Sequence, residues 1–235
     1  MTSMNEVLQG LLGAVRIGLA LIIPFSRAGR VRWGATDNEW TQTYPGDDQI
    51  PHPVWKFTHA ITIQAPAAEV WKWIAQIGQG RGGFYSYQWL ENLVGCNIHN
   101  AEIILPEYQT LNVGDGIRLH PSIPALPVSQ IEQGQYYWLL GKMDIRTGKQ
   151  LDFSNGLPEK YMLLGWQFYL SPIDSTSCRL LSRFLSEYDH SLSSRLGYGP
   201  ALVEPISSIM DIEMLRGIKH RAERTWGKTA DQIQA

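Results

Sequence analysis

From residue 56 the chain alternates: Phe57, His59, Ile61 and Ile63 fall on one face, and Lys56, Thr58, Ala60, Thr62 and Gln64 on the other. A period of two over this length predicts a half-buried strand. The period then lengthens. Pro66 opens a predicted helix through Ile77, with Val70, Trp71, Ile74 and Ile77 on its buried side. A second short helix is expected over residues 87–94, ended by Gly95. Beyond Asn100 the helical period is lost, and strands are expected over residues 116–120, 127–132, 136–143, 161–171 and 179–188. Turns at Gly114-Asp115, Gln133-Gly134, Thr147-Gly148, Asn155-Gly156 and Asp174-Ser175 separate them, with no helix between, which implies an antiparallel meander. Within it Leu164, Trp166, Phe168 and Leu170 share one face, Gln167 and Tyr169 the other. The helical period returns over residues 200–224, where Leu202, Ile206, Met210, Met214 and Ile218 recur every fourth position and Ile209, Ile212 and Leu215 widen the stripe. A helix apolar over so wide an arc is deeply buried or closes a cavity.

Residues 7–25 are almost wholly apolar, and a helix needs about 20 residues to span a bilayer. Arg16 near the middle makes a simple span costly. Gln9, Gly13, Arg16 and Ala20 form a narrow polar or small-residue stripe, the pattern of a helix lying in a membrane interface or docked on a protein. Arg27, Arg30 and Arg32 follow, so an inserted helix would leave the body of the protein cytoplasmic. Thr36 and Glu39 stand at capping-box spacing, and Tyr44-Pro45-Gly46-Asp47-Asp48 reads as a turn. The expected organisation is therefore an apolar helix and connector over residues 1–53, one domain over 54–226 and a tail over 227–235.

The densest local signal is Gly78-Gln79-Gly80-Arg81-Gly82-Gly83-Phe84-Tyr85-Ser86-Tyr87-Gln88-Trp89. Its glycines permit sharp turns, and its rings are more than a solvent loop needs, so it is expected to line a cavity; a plain helix-to-helix turn packed into the core remains the alternative. It lacks the Lys-Ser/Thr ending of a phosphate loop and follows no strand, so both nucleotide-binding templates fail.

Composition sharpens this picture in three ways. Nine Trp and ten Tyr in 235 residues are frequent linings of pockets for apolar ligands. The net charge of -2, without a basic block, argues against nucleic acid as a partner. Cys96 and Cys178 lie far apart and the six histidines are scattered, so no disulfide scaffold, metal site or cofactor is suggested. No serine elbow or nucleophilic cysteine context occurs either.

One strand, two short helices, a run of antiparallel strands and a long last helix is the order of the α+β helix-grip fold. Over roughly residues 54–224 the chain resembles the SRPBCC superfamily, which includes START lipid-transfer domains and polyketide cyclase/dehydrase-like proteins. Ala65-Pro66-Ala67-Ala68-Glu69-Val70-Trp71 is similar to that family's first strand-to-helix junction. The glycine stretch, with Arg32-Trp33-Gly34-Ala35-Thr36 and Pro45-Gly46-Asp47-Asp48, looks like a bacterial branch whose members often begin with a hydrophobic segment. The resemblance implies a curved sheet wrapped on the last helix, with a cavity between them for a lipid, isoprenoid or polyketide-like molecule. It carries over no catalytic residue, because the superfamily shares no catalytic set.

The candidate ligand-binding residues are Arg81, Phe84, Tyr85, Tyr87, Trp89, His99, Glu107, Trp138, Trp166, Arg183, Met210 and Met214. Acid or base candidates are His59, His99, His120, Glu107, Asp115 and Glu187. Glu107 is expected to pair with Arg81 or Arg183, and Arg183 to meet a ligand anion if it points inward. Three readings stand: a carrier of a hydrophobic molecule, held at the cytoplasmic face of a membrane; a cyclase or dehydratase-type enzyme using Arg81, His99 or Glu107; or a chaperone-like interaction domain using the same groove. Oligomeric state is left open.

Overall fold

The computed structural model describes residues 4–23, 27–151 and 156–234, with the side chains described up to residue 228. Residues 24–25 of the apolar segment and Asn155 of the expected Asn155-Gly156 turn lie outside the described residues. The chain opens with helix α1 (Met4–Ile22), α2 (Arg27–Val31) and α3 (Asp37–Thr41). The capping box at the start of α3 forms on both sides: Glu39 N donates to Thr36 Oγ1, and Thr36 N donates to Glu39. Strand β1 (Trp55–Ile63) leads into α4 (Ala67–Ala75), capped by Pro66, and then α5 (Gln88–Leu93). The meander follows as β2 (Gly116–Ile117), β3 (Leu126–Glu132), β4 (Tyr136–Asp144), β5 (Tyr161–Pro172) and β6 (Cys178–Tyr188). Helices α6 (Leu192–Tyr198) and α7 (Val203–Gln234) close the chain.

The strands form one antiparallel sheet in the order β1-β6-β5-β4-β3-β2, and α7 packs across its concave face against β1. This is the helix-grip arrangement. The expected strand over residues 116–120 stops at Ile117, because the Arg118 carbonyl is taken by the Gln79 amide of the glycine stretch. Helix α6 falls in a serine-rich stretch with no apolar period. Ser191 caps it, and Asp189 accepts from Ser191 N and Ser194 Oγ.

Register decides what each face holds. Trp166 of β5 stands between Leu139 and Phe184, and Phe184 pairs with Phe57 of β1, so one cross-strand row of large apolar side chains faces α7. One residue on, the row Trp138, Gln167, Arg183 and Thr58 faces the other way. There the connector of residues 33–51 covers it. Arg183 meets Asp47 at 2.9 Å and donates to Thr58 Oγ1 at 2.8 Å, while Gly46 lies flat on the Trp138 ring. Gly46 has φ 94°, and a Cβ there would sit 2.1 Å from the indole, so both conformation and space require glycine.

Helix α1 docks on α5 and α7 through its small-residue stripe. Gly10 lies against Trp89 and Gly13 against Tyr87 and Leu90, while Arg16 donates to Tyr87 Oη at 2.7 Å and to Glu213 at 3.1 Å. Leu8, Leu11, Leu12, Val15 and Leu19 are left exposed on the outside.

Candidate functional site

Where α7 crosses the sheet, the apolar row does not close against it. A cavity of about 270 Å³, open to solvent, remains between sheet and helix. Phe57, Trp166 and Phe184 form its sheet wall, Ile206, Met210 and Met214 its helix wall, and Phe84 its third side. The rings are ordered against one another: Phe57 stacks on Phe184 at 5.3 Å between centroids, and Phe84 tilts on Trp166 at 6.1 Å.

The glycine stretch presents Phe84 to this space. Gly78, Gly80 and Gly83 take positive φ, as does Tyr85 at 58°, and Asn100 Oδ1 accepts from both Phe84 N and Tyr85 N. Arg81 turns back to donate to the Ala75 carbonyl at the end of α4, with its guanidinium 4.4 Å over the Tyr108 ring. It thus closes a helix C-terminus, where a cation and a donor are both favoured.

Asp211 and Ser207 on α7, and Glu91 and Ser86 on the side of α5, interrupt the apolar lining. On the helix wall, Asp211 accepts from Ser182 Oγ at 2.6 Å and Trp166 Nε1 at 3.3 Å, and contacts His59 Nδ1 at 2.6 Å. His59 Nε2 lies 3.0 Å from the Arg30 carbonyl and 3.1 Å from Ser208 Oγ, so both ring nitrogens are engaged. On the side of α5, Glu91 is only 6% exposed; Ser86 Oγ donates to its Oε1 at 2.5 Å, and among the described residues nothing donates to Oε2. Burial pushes this carboxyl up to about 7, against a smaller opposing effect of Ser86. The neighbouring Cys96 thiol is also raised, first by burial and then by Glu91.

Of the twelve candidate residues, the structure brings Phe84, Trp166, Met210 and Met214 together around this cavity. The other eight do not line it. Tyr87 and Trp89 are spent on docking α1, and Tyr85 is buried beneath the loop, its hydroxyl donating to the Trp73 carbonyl. Arg81 caps α4. Trp138 and Arg183 belong to the opposite face of the sheet, where Asp47 rather than a ligand or Glu107 meets the arginine. His99 and Glu107 are exposed. Among the acid and base candidates, His59 alone reaches the cavity wall, through Asp211; Asp115 accepts from Asn112 N in a turn, and Glu187 accepts from His52 N. Glu91, Ser86, Asp211 and Ser182 escaped the sequence reading.

A larger, polar cavity of about 490 Å³ lies between α1, the glycine stretch and α7. Its charges include two matched pairs, Arg216 with Glu213 and Arg221 with Glu102, and its lining is polar rather than aromatic. Among the described residues no cluster of three metal-ligating side chains occurs.

No family model and no curated protein matches the chain. Solved structures do. A conserved protein from Geobacillus kaustophilus is 10% identical, covering 73% of this chain and 97% of its own, with a TM-score of 0.38. The Zhui aromatase/cyclase from Streptomyces sp. R1128 is 12% identical over 72% of this chain and 94% of its own, at a TM-score of 0.33. Truncated norcoclaurine synthase from Thalictrum flavum is 12% identical over 70% and 91%, at 0.34.

Proposed function

We propose that this protein binds a hydrophobic small molecule in the cavity between the sheet and α7. The observation that carries the reading is the cavity's lining: three rings of one sheet row, Phe84 beside them and two methionines surround a space that the core's own side chains leave unfilled. Interiors normally pack without voids of this size, and concave, mostly apolar spaces with few polar groups are the usual form of a ligand site. Titration with the neutral fluorophore N-phenyl-1-naphthylamine tests it. Emission should rise saturably and the melting temperature should increase, and both responses should vanish in Met210→Trp, which fills the space. A Met210→Trp variant that folds and responds like the wild type would remove the reading.

A second reading, chemistry on a bound polyketide-like substrate, is favoured by Glu91. A buried carboxyl whose value is pushed up to about 7, at the wall of a cavity, is suited to proton transfer. The groups earlier expected to serve, Arg81, His99 and Glu107, lie outside the cavity, so an enzyme would have to rely on Glu91 and the Asp211–His59 pair.

The exposed face of α1 supports peripheral attachment to the cytoplasmic side of a membrane. The helix is long and apolar enough to cross a bilayer, with a mean hydropathy of 1.3, but its outward leucines and docked inner stripe suit a helix lying in the interface better. Replacing Leu11 and Val15 together by glutamate should abolish co-sedimentation with liposomes while leaving the melting temperature near that of the wild type.

A further inference from the structure

The cavity's charge pattern narrows the chemistry of its guest, on the reading that the cavity is a ligand site. None of the side chains lining it is cationic. Its two carboxyls differ: Asp211 has three hydrogen-bonding partners, His59 among them, whereas Glu91 has a single hydroxyl on one oxygen and, among the described residues, nothing on the other. The titratable groups packed near Glu91 do not compensate it. Cys96 is a thiol, Asp211 is an acid already engaged by His59, Ser182 and Trp166, and His120, against the residue that follows α5, contacts the Val94 carbonyl while its other nitrogen accepts from Ser122 N. A fatty acid or phosphate head would meet Glu91 with no countercharge, which a low-dielectric site penalises. A protonated amine would gain a charge-assisted contact, and the faces of Phe57, Phe84, Trp166 and Phe184 also attract cations.

We propose that this site takes an apolar, ring-bearing molecule carrying a protonated amine, with Glu91 as its counter-ion, and that it discriminates against carboxylate-bearing lipids. Amine binding draws Glu91 into its ionised form. Affinity therefore rises with pH through the range where Glu91 loses its proton, up to about tenfold, for as long as the amine stays charged. A neutral guest that accepts from the protonated acid shows the reverse trend.

The test is isothermal titration with three probes of one shape, 2-(1-naphthyl)ethylamine, 2-(1-naphthyl)ethanol and 1-naphthylacetate, at pH 6 and pH 8. The amine should bind tightest at pH 8, the alcohol should change little, and the carboxylate should be weakest at both. Glu91→Gln, which preserves shape and the Ser86 contact, should cost the amine roughly tenfold or more at pH 8, abolish its pH trend and leave the alcohol unchanged. Equal binding of amine and alcohol at pH 8, untouched by Glu91→Gln, would overturn the assignment while the cavity reading survives. If no probe binds, or if all bind equally to Met210→Trp, the cavity reading falls with it.

Discussion

The two faces of the same sheet use neighbouring residues to opposite ends. On the convex face Trp138, Gln167, Arg183 and Thr58 are roofed by residues 33–51, with Asp47 meeting Arg183 and Gly46 pressed on the indole, so that the space left is a polar pocket of about 190 Å³ beside Asp47 and Arg183. On the concave face, one residue along each strand, Trp166, Phe184 and Phe57 are large and more apolar, yet an apolar space between them and α7 stays open. Side-chain size does not decide which face fills. What matters is whether the covering element can reach: a loop with glycine at its closest point follows the surface, and a straight helix crossing a curved sheet does not.

Breaking the convex face should have the largest effect. Asp47→Ala leaves the Arg183 guanidinium buried without its carboxylate and should cost about 4 kcal/mol, read as a shift of the urea midpoint at unchanged m-value. Next comes pH acting on the concave face. Glu91 has a value raised from 4.5 to about 7, so folding is favoured while it keeps its proton. Stability should therefore fall by about 3 kcal/mol as pH rises from about 4.5 to 7, and Glu91→Gln should flatten that part of the profile. Gly46→Ala, with a left-handed backbone and a blocked Cβ, should lose about 2 kcal/mol. Smallest is Met210→Ala at about 1 kcal/mol, below the usual cost of truncating a core methionine, because its side chain already borders empty space. If Met210→Ala proved as damaging as Asp47→Ala, the contrast between the faces would not hold.

Much of the architecture was legible in the chain. Alternation located β1, β3, β4, β5 and β6 to within one or two residues, and Pro66, the Thr36–Glu39 box and the fourfold stripe of α7 marked the helices. The site was read less well, for physical reasons. Ring density after Gly83 suggested a lining, but Tyr85, Tyr87 and Trp89 fulfil packing roles that sequence spacing does not distinguish from ligand contact. Arg183 required its face to be known, and the strand period places it with Gln167, away from Trp166; that inference was available. Asp211 was visible too, as an acid inside the apolar arc of α7, matched by His59 on the apolar face of β1. Glu91 gave no such sign, because its burial depends on how α5 meets the glycine stretch and α7.

Native mass spectrometry of the protein purified without detergent tests the central claim most directly. The account predicts a co-purifying small molecule on the wild type that is absent from folded Met210→Trp. Identical, adduct-free spectra for both, with neither binding any of the naphthyl probes, would contradict it.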